Sequence, residues 1–507
     1  MGRADKRLRK FHSEKDRLRS ENSRLREEVA ALRTENASLR VESSRLSHEL
    51  AGALSKLESL EKLVTELQEK LRTNSQNSSL PPSADRPGAP VRQSKTPSGK
   101  KPGGQPGHQR HERPEPPPEK VNQPPVHLCP ARCIKCNRSL QDVTGTVKPF
   151  YTWEVPEPTP EITAYLQHTK VCPDCQTQNV LPLPPEAHSP FGPRAMGVLA
   201  LLTGELNLSK RKAAQAMLVL FGIPMATGTV PACEHTVSDA IEGPVQEAQG
   251  YVQQQGVKQA DETGWRHGAQ RAKAYLWVAY TTLATVFLVA RSRGSDCAKK
   301  LLGRTFGVLV TDRYKGYEFW PLEDRQLCWA HIKRDIQAMI EAGGKAARVG
   351  KSLEKYRRKL FTWWYWTCNG SIDRASFQKR VAKLRKQFHN ELVAGSTCKH
   401  KKTAGTCNDL LRLEQALWTF VYREGVEPTN NNSERSVRQA VLKRKISYGT
   451  HSDAGARFIE RILTVSTTLR QQHRNTLEFL VAAIEAKMRG SSAPTLLPDG
   501  LTNAQPA

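Results

Sequence analysis

The runs VKQAD at 257–261 and GVLVTD at 307–312 decide how the C-terminal half of the chain folds. Each is short, rich in β-formers and ends on an aspartate, Asp261 and Asp312. Between them lie AYLWVAYTT at 274–282 and TVFLVA at 285–290. Such runs, bounded by turn residues, predict strands. The first three predict an antiparallel meander. The helical segment SDCAKKLLG then separates the third from the fourth and predicts a mixed sheet with a crossover onto one face. If the first and fourth strands lie adjacent and parallel, both carboxylates emerge at one edge of the sheet.

Two carboxylates in such a place suit hard divalent cations, which take oxygen ligands. Phosphoryl transfer needs the attacking and leaving oxygens activated together, as two magnesium ions about 3.5 to 4 Å apart can do. A third acid completes the minimum set. The candidate is Glu434 in PTNNNSERSVRQ, where Asn431 or Asn432 caps a helix whose first turn holds the glutamate. Taken singly, each acid also has an ordinary reading, as a turn residue or as a partner of a helix dipole. After Glu434 the cations Arg435, Arg438, Lys443 and Arg444 recur at spacings that put several on one side, where they would bind phosphates.

Cys328 and His331 form a C-x2-H pair directly after the predicted fifth strand, QLCWA. Two ligands without a second pair are insufficient for zinc, so the expectation is support of the acidic site or positioning of a DNA strand, with a buried structural histidine as the alternative. Between Asp312 and Glu434 lie 434 − 312 = 122 residues of helical character, including KYRRKLFTWWYWTC. There Trp363, Trp364 and Trp366 are expected chiefly as core residues, with stacking on exposed bases as the rival role.

Upstream, SKRKAAQAMLVLF at 209–221, interrupted by Gly222-Ile223-Pro224, and a second segment to about Ala240 outline a helix-turn-helix. Lys210, Arg211 and Lys212 are its candidate phosphate contacts. The second helix carries Glu234 and Asp239, a poor set for reading base edges, so a structural helical hairpin stands beside the DNA-reading one. Cys133-x2-Cys136 and Cys172-x2-Cys175 are two knuckles of the kind that thiolate zinc sites use, and Cys129 or His127 could substitute for one ligand. Buried, reduced cysteines are the alternative.

Residues 74–126 hold 13 of the chain's 32 prolines and few large apolar side chains, the composition of a disordered linker. Its Lys95, Lys100, Lys101 and Arg110 are either passing phosphate contacts or a solvated charge run. Before it, leucine recurs every seventh residue at Leu18, Leu25, Leu32, Leu39 and Leu46, skips at Ala53, and resumes at Leu60 and Leu67. Asn22 and Asn36 fall at matching a positions. This pattern predicts a parallel two-stranded coiled coil, and hence a homodimer.

Lysine and arginine number 77 against 50 aspartate and glutamate, a formal charge of +27 that favours a polyanionic partner. At 507 residues the chain exceeds the roughly 250 to 300 residues of a single core. The N-terminal MGRADKRLRK has no apolar signal core, and no stretch approaches the roughly 20 apolar residues that span a bilayer. A soluble, cytoplasmic, nucleoid-associated protein without a membrane partner is expected. Eleven cysteines without a secretion signal argue against a disulfide framework.

Taken together, ADETGWR around Asp261, VTDRYKGY around Asp312, CWAHIKRD from Cys328 and TNNNSERSVRQAVLKRKISYGTHSDAGAR around Glu434 resemble the transposases of the insertion sequence 66 family, in order and in spacing. The resemblance extends to the coiled coil, the phrases NSQNSSLPPSAD and KPGGQPGH, the paired cysteines and LSKRKAAQAM. It implies a multidomain protein with an α/β RNase H-like, retroviral-integrase-like catalytic core. Asp261, Asp312 and Glu434 would be its acidic triad, binding two Mg2+ (or Mn2+) ions, with structural Zn2+ elsewhere. It further implies cleavage at the element's terminal inverted repeats, joining of the 3′ hydroxyls to target DNA, and accessory proteins from the same element. A noncatalytic dimeric DNA-binding regulator and an inactive domesticated relic are the alternatives. Neither has use for three acids so placed.

The expected domains are a coiled coil with a basic arm at 1–73, the linker at 74–126, a zinc module at 127–185 and a helix-turn-helix region at 186–250. A catalytic domain at 251–485, with a helical insertion at about 335–428, and a disordered tail at 486–507 follow.

Overall fold

The computed structural model describes residues 2–72 and 115–498. Most of the linker, including Lys95, Lys100, Lys101 and Arg110, and residues 499–507 lie outside the described residues. The chain divides into two units, residues 1–89 and 90–507.

In the first unit, α1 (Gly2–Arg72) is one continuous helix. Its heptad leucines Leu18, Leu25, Leu32, Leu39 and Leu46 are 52–58% exposed. A helix of this length with an open apolar seam gains little stability by itself, since helices in proteins are held mainly by packing of that face.

The described part of the second unit opens, from residue 115, with a largely extended segment in which two turns stand out. Cys133 N–H donates to the Arg138 carbonyl and Asn137 N–H to that of Cys133, both at 2.9 Å. Cys172, Thr177 and Gln176 repeat the arrangement at the same distances. Asn137 and Gln176 occupy the same left-handed position, at φ 57° and 58°. The second turn joins β1 (Thr169–Val171) to β2 (Gln178–Val180) in an antiparallel pair.

Next come α2 (Pro193–Ala200), a π-helical turn at Leu201–Glu205, α3 (Lys210–Phe221), α4 (Val230–Ala240) and α5 (Glu242–Gln254). Ser209 caps α3 by accepting the Lys212 N–H, and Gly222, left-handed at φ 65°, ends it. These helices do not form a free-standing module. Their apolar faces enter one core with the sheet and with two C-terminal helices, joining Met196, Val230 and Val237 to Trp277, Ile462 and Leu480.

The sheet comprises β3 (Val257–His267), β4 (Ala272–Tyr280), β5 (Thr285–Ala290), β6 (Val308–Thr311) and β7 (Arg325–Leu327), in the order β5-β4-β3-β6-β7. The first three form the antiparallel meander, and β6 and β7 add in parallel after the crossover helix α6 (Ser295–Leu302). β3 runs six residues beyond Asp261, where the sequence predicts its end. The extension stays paired to β4 and is closed by the loop at 449–450, where Thr450 N–H donates to the Arg266 carbonyl at 2.9 Å. Gly449 makes this approach possible: at φ +106°, a Cβ there would lie 2.0 Å from the Arg266 oxygen.

Helices α7 (Trp329–Glu341), α8 (Gly344–Cys368), α9 (Arg374–Ser396), α10 (Lys401–Arg412) and α11 (Thr419–Tyr422) form the insertion. They pack on a second core that includes Trp329, Phe377, Phe388, Trp418 and Phe420. The chain then returns through α12 (Asn431–Ser447), α13 (Asp453–Gln471) and α14 (Thr476–Arg489). Residues 495–497, within the expected disordered tail, are packed against the fold. Leu496 and Leu497 are buried, Thr495 donates its hydroxyl to Glu247 at 2.7 Å, and Arg474 donates to the Thr495 carbonyl at 3.1 Å. Among the described residues, no helix is long and apolar enough to cross a membrane.

Candidate active site

Parallel pairing of β3 with β6, Val257 to Val308 through Gln259 to Val310, brings Asp261 and Asp312 to the same end of adjacent strands. Asp312 directly follows β6. Asp261 lies within β3, just past the last residue paired to β6, so the edge on which it stands is a step in the sheet rather than a strand terminus. Glu434 arrives from α12, in its first turn.

Two hydrogen bonds lash that turn to the strand. Asn430 Nδ2 donates to the Ala260 carbonyl at 3.3 Å, and the Ser433 N–H donates to Gln259 Oε1 at 3.3 Å. Asn430 also donates its N–H to Cys328 Sγ at 3.4 Å, tying in the start of α7. The asparagine that precedes α12 is therefore Asn430, and its side chain binds the sheet rather than capping the helix from within, as expected of Asn431 or Asn432. Its two neighbours cannot take this role, because they are already inside the helix.

All three carboxyls resist ionisation. Burial pushes Asp261 well above its ordinary value, and the charges of Glu262, Asp312 and Glu434 push it further. Burial raises Asp312, although the Tyr314 N–H donates to it at 2.8 Å and Arg293 stands nearby. Glu434 is raised by burial and by Asp312, against the pull of Arg334. Three buried acids, with Asp261 raised by the charges of the other two, make a region of negative potential that a divalent cation would relieve. Glu434 Oε1 is buried and lacks a hydrogen-bond partner. The donor set and this orphaned oxygen fit hard divalent ions.

Several residues around the acids escaped the sequence reading. Glu262 is nearly inaccessible, receives the Tyr317 hydroxyl at 2.6 Å and the Arg293 Nε–H at 3.0 Å, and is pushed up to about 7 by burial and then by Asp312. The alternation of β3 alone would class it as solvent-facing. Arg313 donates to Asp335 on α7 at 2.8 Å and to Asp409 on α10, fastening the insertion beside Asp312.

Cys328 is the N-cap of α7, and Trp329 is already helical, so the predicted strand QLCWA ends at Leu327. Burial, then the charges of Arg334 and Arg313, lower His331 to about 3, so its ring is neutral. His331 Nδ1 lies 3.4 Å from Glu434 Oε1.

The expected phosphate contacts separate into two groups. Arg435 and Arg438 are exposed on α12. Lys443 is buried and donates to the Thr203 carbonyl of the π-helical turn, and Arg444 donates to Gly264 and to Thr263 on β3. Both are committed to packing, because their side of α12 faces the protein. Lys210 is ion-paired at 3.1 Å with Glu234, while Arg211 and Lys212 are exposed. The second helix of the proposed reading pair, α4, buries Val230, Cys233, Glu234 and Val237 against the bundle and leaves few polar side chains outward.

Of the tryptophans, Trp364 packs edge-on to Phe420, with ring centroids 5.2 Å apart, and Trp363 is half-buried. Trp366 and Tyr365 are exposed, with the Arg380 guanidinium over the Trp366 ring.

Within each cysteine knuckle the two thiols are hydrogen-bonded. Cys133 is held below the usual thiol range by the backbone at Cys136 and Lys135, and Cys175 by the side chain and backbone of Thr177. The two knuckles do not converge. Among the described residues, Cys328, His331 and Glu434 form the one group of three or more such side chains whose ligand atoms lie within 4.8 Å of one another.

Comparison with known proteins accords with this geometry. Residues 15–114 match a family of unknown function. Over 208 residues the chain is 24% identical to "Uncharacterized protein y4qI" of Sinorhizobium fredii, an alignment that spans 37% of this chain and 37% of that relative. Residues 190–458, which contain the sheet, the insertion and all three acids, match the model described as "Transposase IS66 family", and the chain belongs to that family of transposases.

Proposed function

We propose that the protein is a DNA transposase that cleaves the ends of its insertion sequence and joins the freed 3′ hydroxyls to target DNA. The supporting observation is the convergence of Asp261, Asp312 and Glu434, from adjacent parallel strands and from a helix lashed to them, with the charges of the latter two disfavouring that of Asp261. Bound Mg2+ or Mn2+ would supply activation of the attacking oxygen and neutralisation of the leaving one.

The chain's own residues hold the geometry. Asn430 and Ser433 fix Glu434 against β3, the Tyr314 N–H orients Asp312, and Arg313 ties the insertion to the site. Arg435 and Arg438, exposed one turn or less beyond Glu434, are placed to bind DNA phosphates. The open leucine seam of α1 supports pairing of two chains, one for each end of the element. Structural zinc at Cys133, Cys136, Cys172 and Cys175 would draw the two matching turns together.

The test is strand transfer by the purified full-length chain, with magnesium and DNA bearing the inverted repeats that flank its gene. Joined products are expected from the unaltered protein. Asp312→Asn should bind the ends and join none. Tight end binding without cleavage by the unaltered protein, even with manganese and the neighbouring gene products, would overturn the reading.

A further inference from the structure

The start of α7 and the start of α12 bring together three side chains of a chemistry different from the acidic pair on the strands. The Cys328 thiol, a ring nitrogen of His331 and a carboxylate oxygen of Glu434 have ligand atoms within 4.8 Å of one another. Cys328 is buried, and His331 and Glu434 are each about a quarter exposed. His331 Nδ1 and Glu434 Oε1 face each other at 3.4 Å, with the Arg334 guanidinium 4.0 Å from the same oxygen; both atoms are sealed from solvent and neither has a hydrogen-bond partner. Two unpaired, sealed polar atoms pointing at one another cost free energy unless something lies between them. An imidazole nitrogen, a carboxylate oxygen and a thiol sulfur held this close are all metal donors, so one cation between them would satisfy the sealed atoms.

We propose that Cys328, His331 and Glu434 form a site for one zinc-class divalent cation. The ligand set selects the class: thiolate sulfur and imidazole nitrogen suit zinc and related transition metals, whereas magnesium takes oxygen. Around a tetrahedral ion, with bonds of about 2.3 Å to sulfur and about 2.0 Å to nitrogen, the ligand atoms lie about 3.3 to 3.8 Å apart. From separations within 4.8 Å, the present group reaches that by a contraction of at most about 1.5 Å. The C-x2-H spacing supplies two ligands from the start of α7, and the turn held by Asn430 supplies the third. On coordination the Cys328 S–H gives its proton to solvent and the thiolate occupies the metal.

The site shares Glu434 with the magnesium centre proposed above and deepens the reading of that pocket. Cys328 and His331 make it testable separately. The full-length chain, its Cys328→Ser and His331→Leu variants, and Asp312→Asn are dialysed against Zn2+, and bound metal is counted per chain. Thermal melts by circular dichroism establish that each variant is folded. Ions held by the paired cysteine knuckles are common to all four proteins. Cys328→Ser and His331→Leu should each lose one ion per chain relative to the unaltered protein, and Asp312→Asn should lose none. In Co2+-loaded protein the thiolate charge-transfer absorption should fall in Cys328→Ser. Equal zinc counts in the unaltered protein and both variants overturn the site. Should either variant fail to fold, zinc-soaked crystals of the unaltered protein decide: an anomalous peak between Cys328 and His331 supports the site, and its absence overturns it. Failure of the transposase reading shows instead as an unaltered protein that never cleaves, whatever its zinc count.

Discussion

The Phe287 backbone N–H donates to the Thr464 hydroxyl at 3.1 Å, and this bond is the middle rung of a ladder that closes one side of the sheet. β5 is an edge strand whose outward N–H groups have no neighbouring strand. α13 crosses that edge and offers an acceptor every fourth residue: Glu460 to Val289, Thr464 to Phe287 and Thr468 to Thr285. An i, i+4, i+8 row on a helix thus meets an i, i+2, i+4 row on a strand, since roughly 6 Å separates the steps of each. Thr464→Val keeps the shape and leaves the Phe287 N–H buried without an acceptor, at a cost of about 1 to 3 kcal/mol. Thr464→Ser should cost less than half of that. Urea midpoints of the two variants check the point, and equal midpoints would remove the ladder's claim to stability.

The acidic pocket should trade stability for function. In metal-free buffer, Asp261→Asn removes one of several mutually repelling, buried charges and should raise unfolding stability by about 1 to 2 kcal/mol. The same change should lower strand transfer by about a thousandfold or more, the equivalent of several kcal/mol of charge stabilisation. Adding Mg2+ should raise the melting temperature of the unaltered protein and leave that of Asp261→Asn nearly unmoved. A magnesium shift of equal size in both would show that the ion binds elsewhere.

What the sequence makes legible here follows from the range of the interactions involved. The meander and α3 are set by short-range signals: alternating β-formers, the Ser209 cap and the left-handed Gly222. Asp312 and Glu434 stand out because each sits at a strand or helix boundary, and Asp261 because a run of β-formers ends on it in the sequence. The extension of β3 beyond Asp261 is not legible, because it depends on Gly449, more than 180 residues away. Lys443 reads as a phosphate ligand from its spacing, yet its ammonium ends on Thr203, 240 residues distant. Glu262 and Asn430 owe their roles to Tyr317, Arg293 and the strand carbonyl of Ala260, partners that only the folded chain assembles.

Lys258 lies wholly inside the sheet and donates to the carbonyls of Gln253, Gln255 and Phe306 at 3.0, 2.8 and 2.8 Å, with Trp320 and Phe306 rings beside it. Burial lowers its ammonium from 10.5 to about 8, while the three acceptors hold the charged form in place. Lys258→Met leaves those carbonyls without this donor and should destabilise by about 3 kcal/mol near neutral pH. The pH dependence has a definite sign. Between about 8 and 10.5 the unfolded lysine binds more protons than the folded one, so its contribution becomes more favourable as pH rises through that window. Melting curves of both proteins from pH 7 to 10.5 should therefore show the unaltered chain gaining on Lys258→Met. A constant gap would mean that the folded value is not depressed.

The seam of α1 predicts assembly. Leu32 and Leu39 sit in its middle at 58% and 57% exposure, and each would be buried against its counterpart in a second chain. Burying a leucine contributes about 1.5 to 3 kcal/mol, so replacing both with aspartate removes that gain and places like charges across the seam. The full-length Leu32→Asp, Leu39→Asp protein should run as a monomer by light scattering at micromolar concentration, where the unaltered chain runs as a dimer. Asn36→Val should have the opposite effect on strength and a different one on specificity. Removing a buried polar pair raises stability, and it also frees the helices to pair out of register or in larger assemblies. A monomeric unaltered chain would sink the pairing, and a double variant that remains dimeric would move the interface off α1.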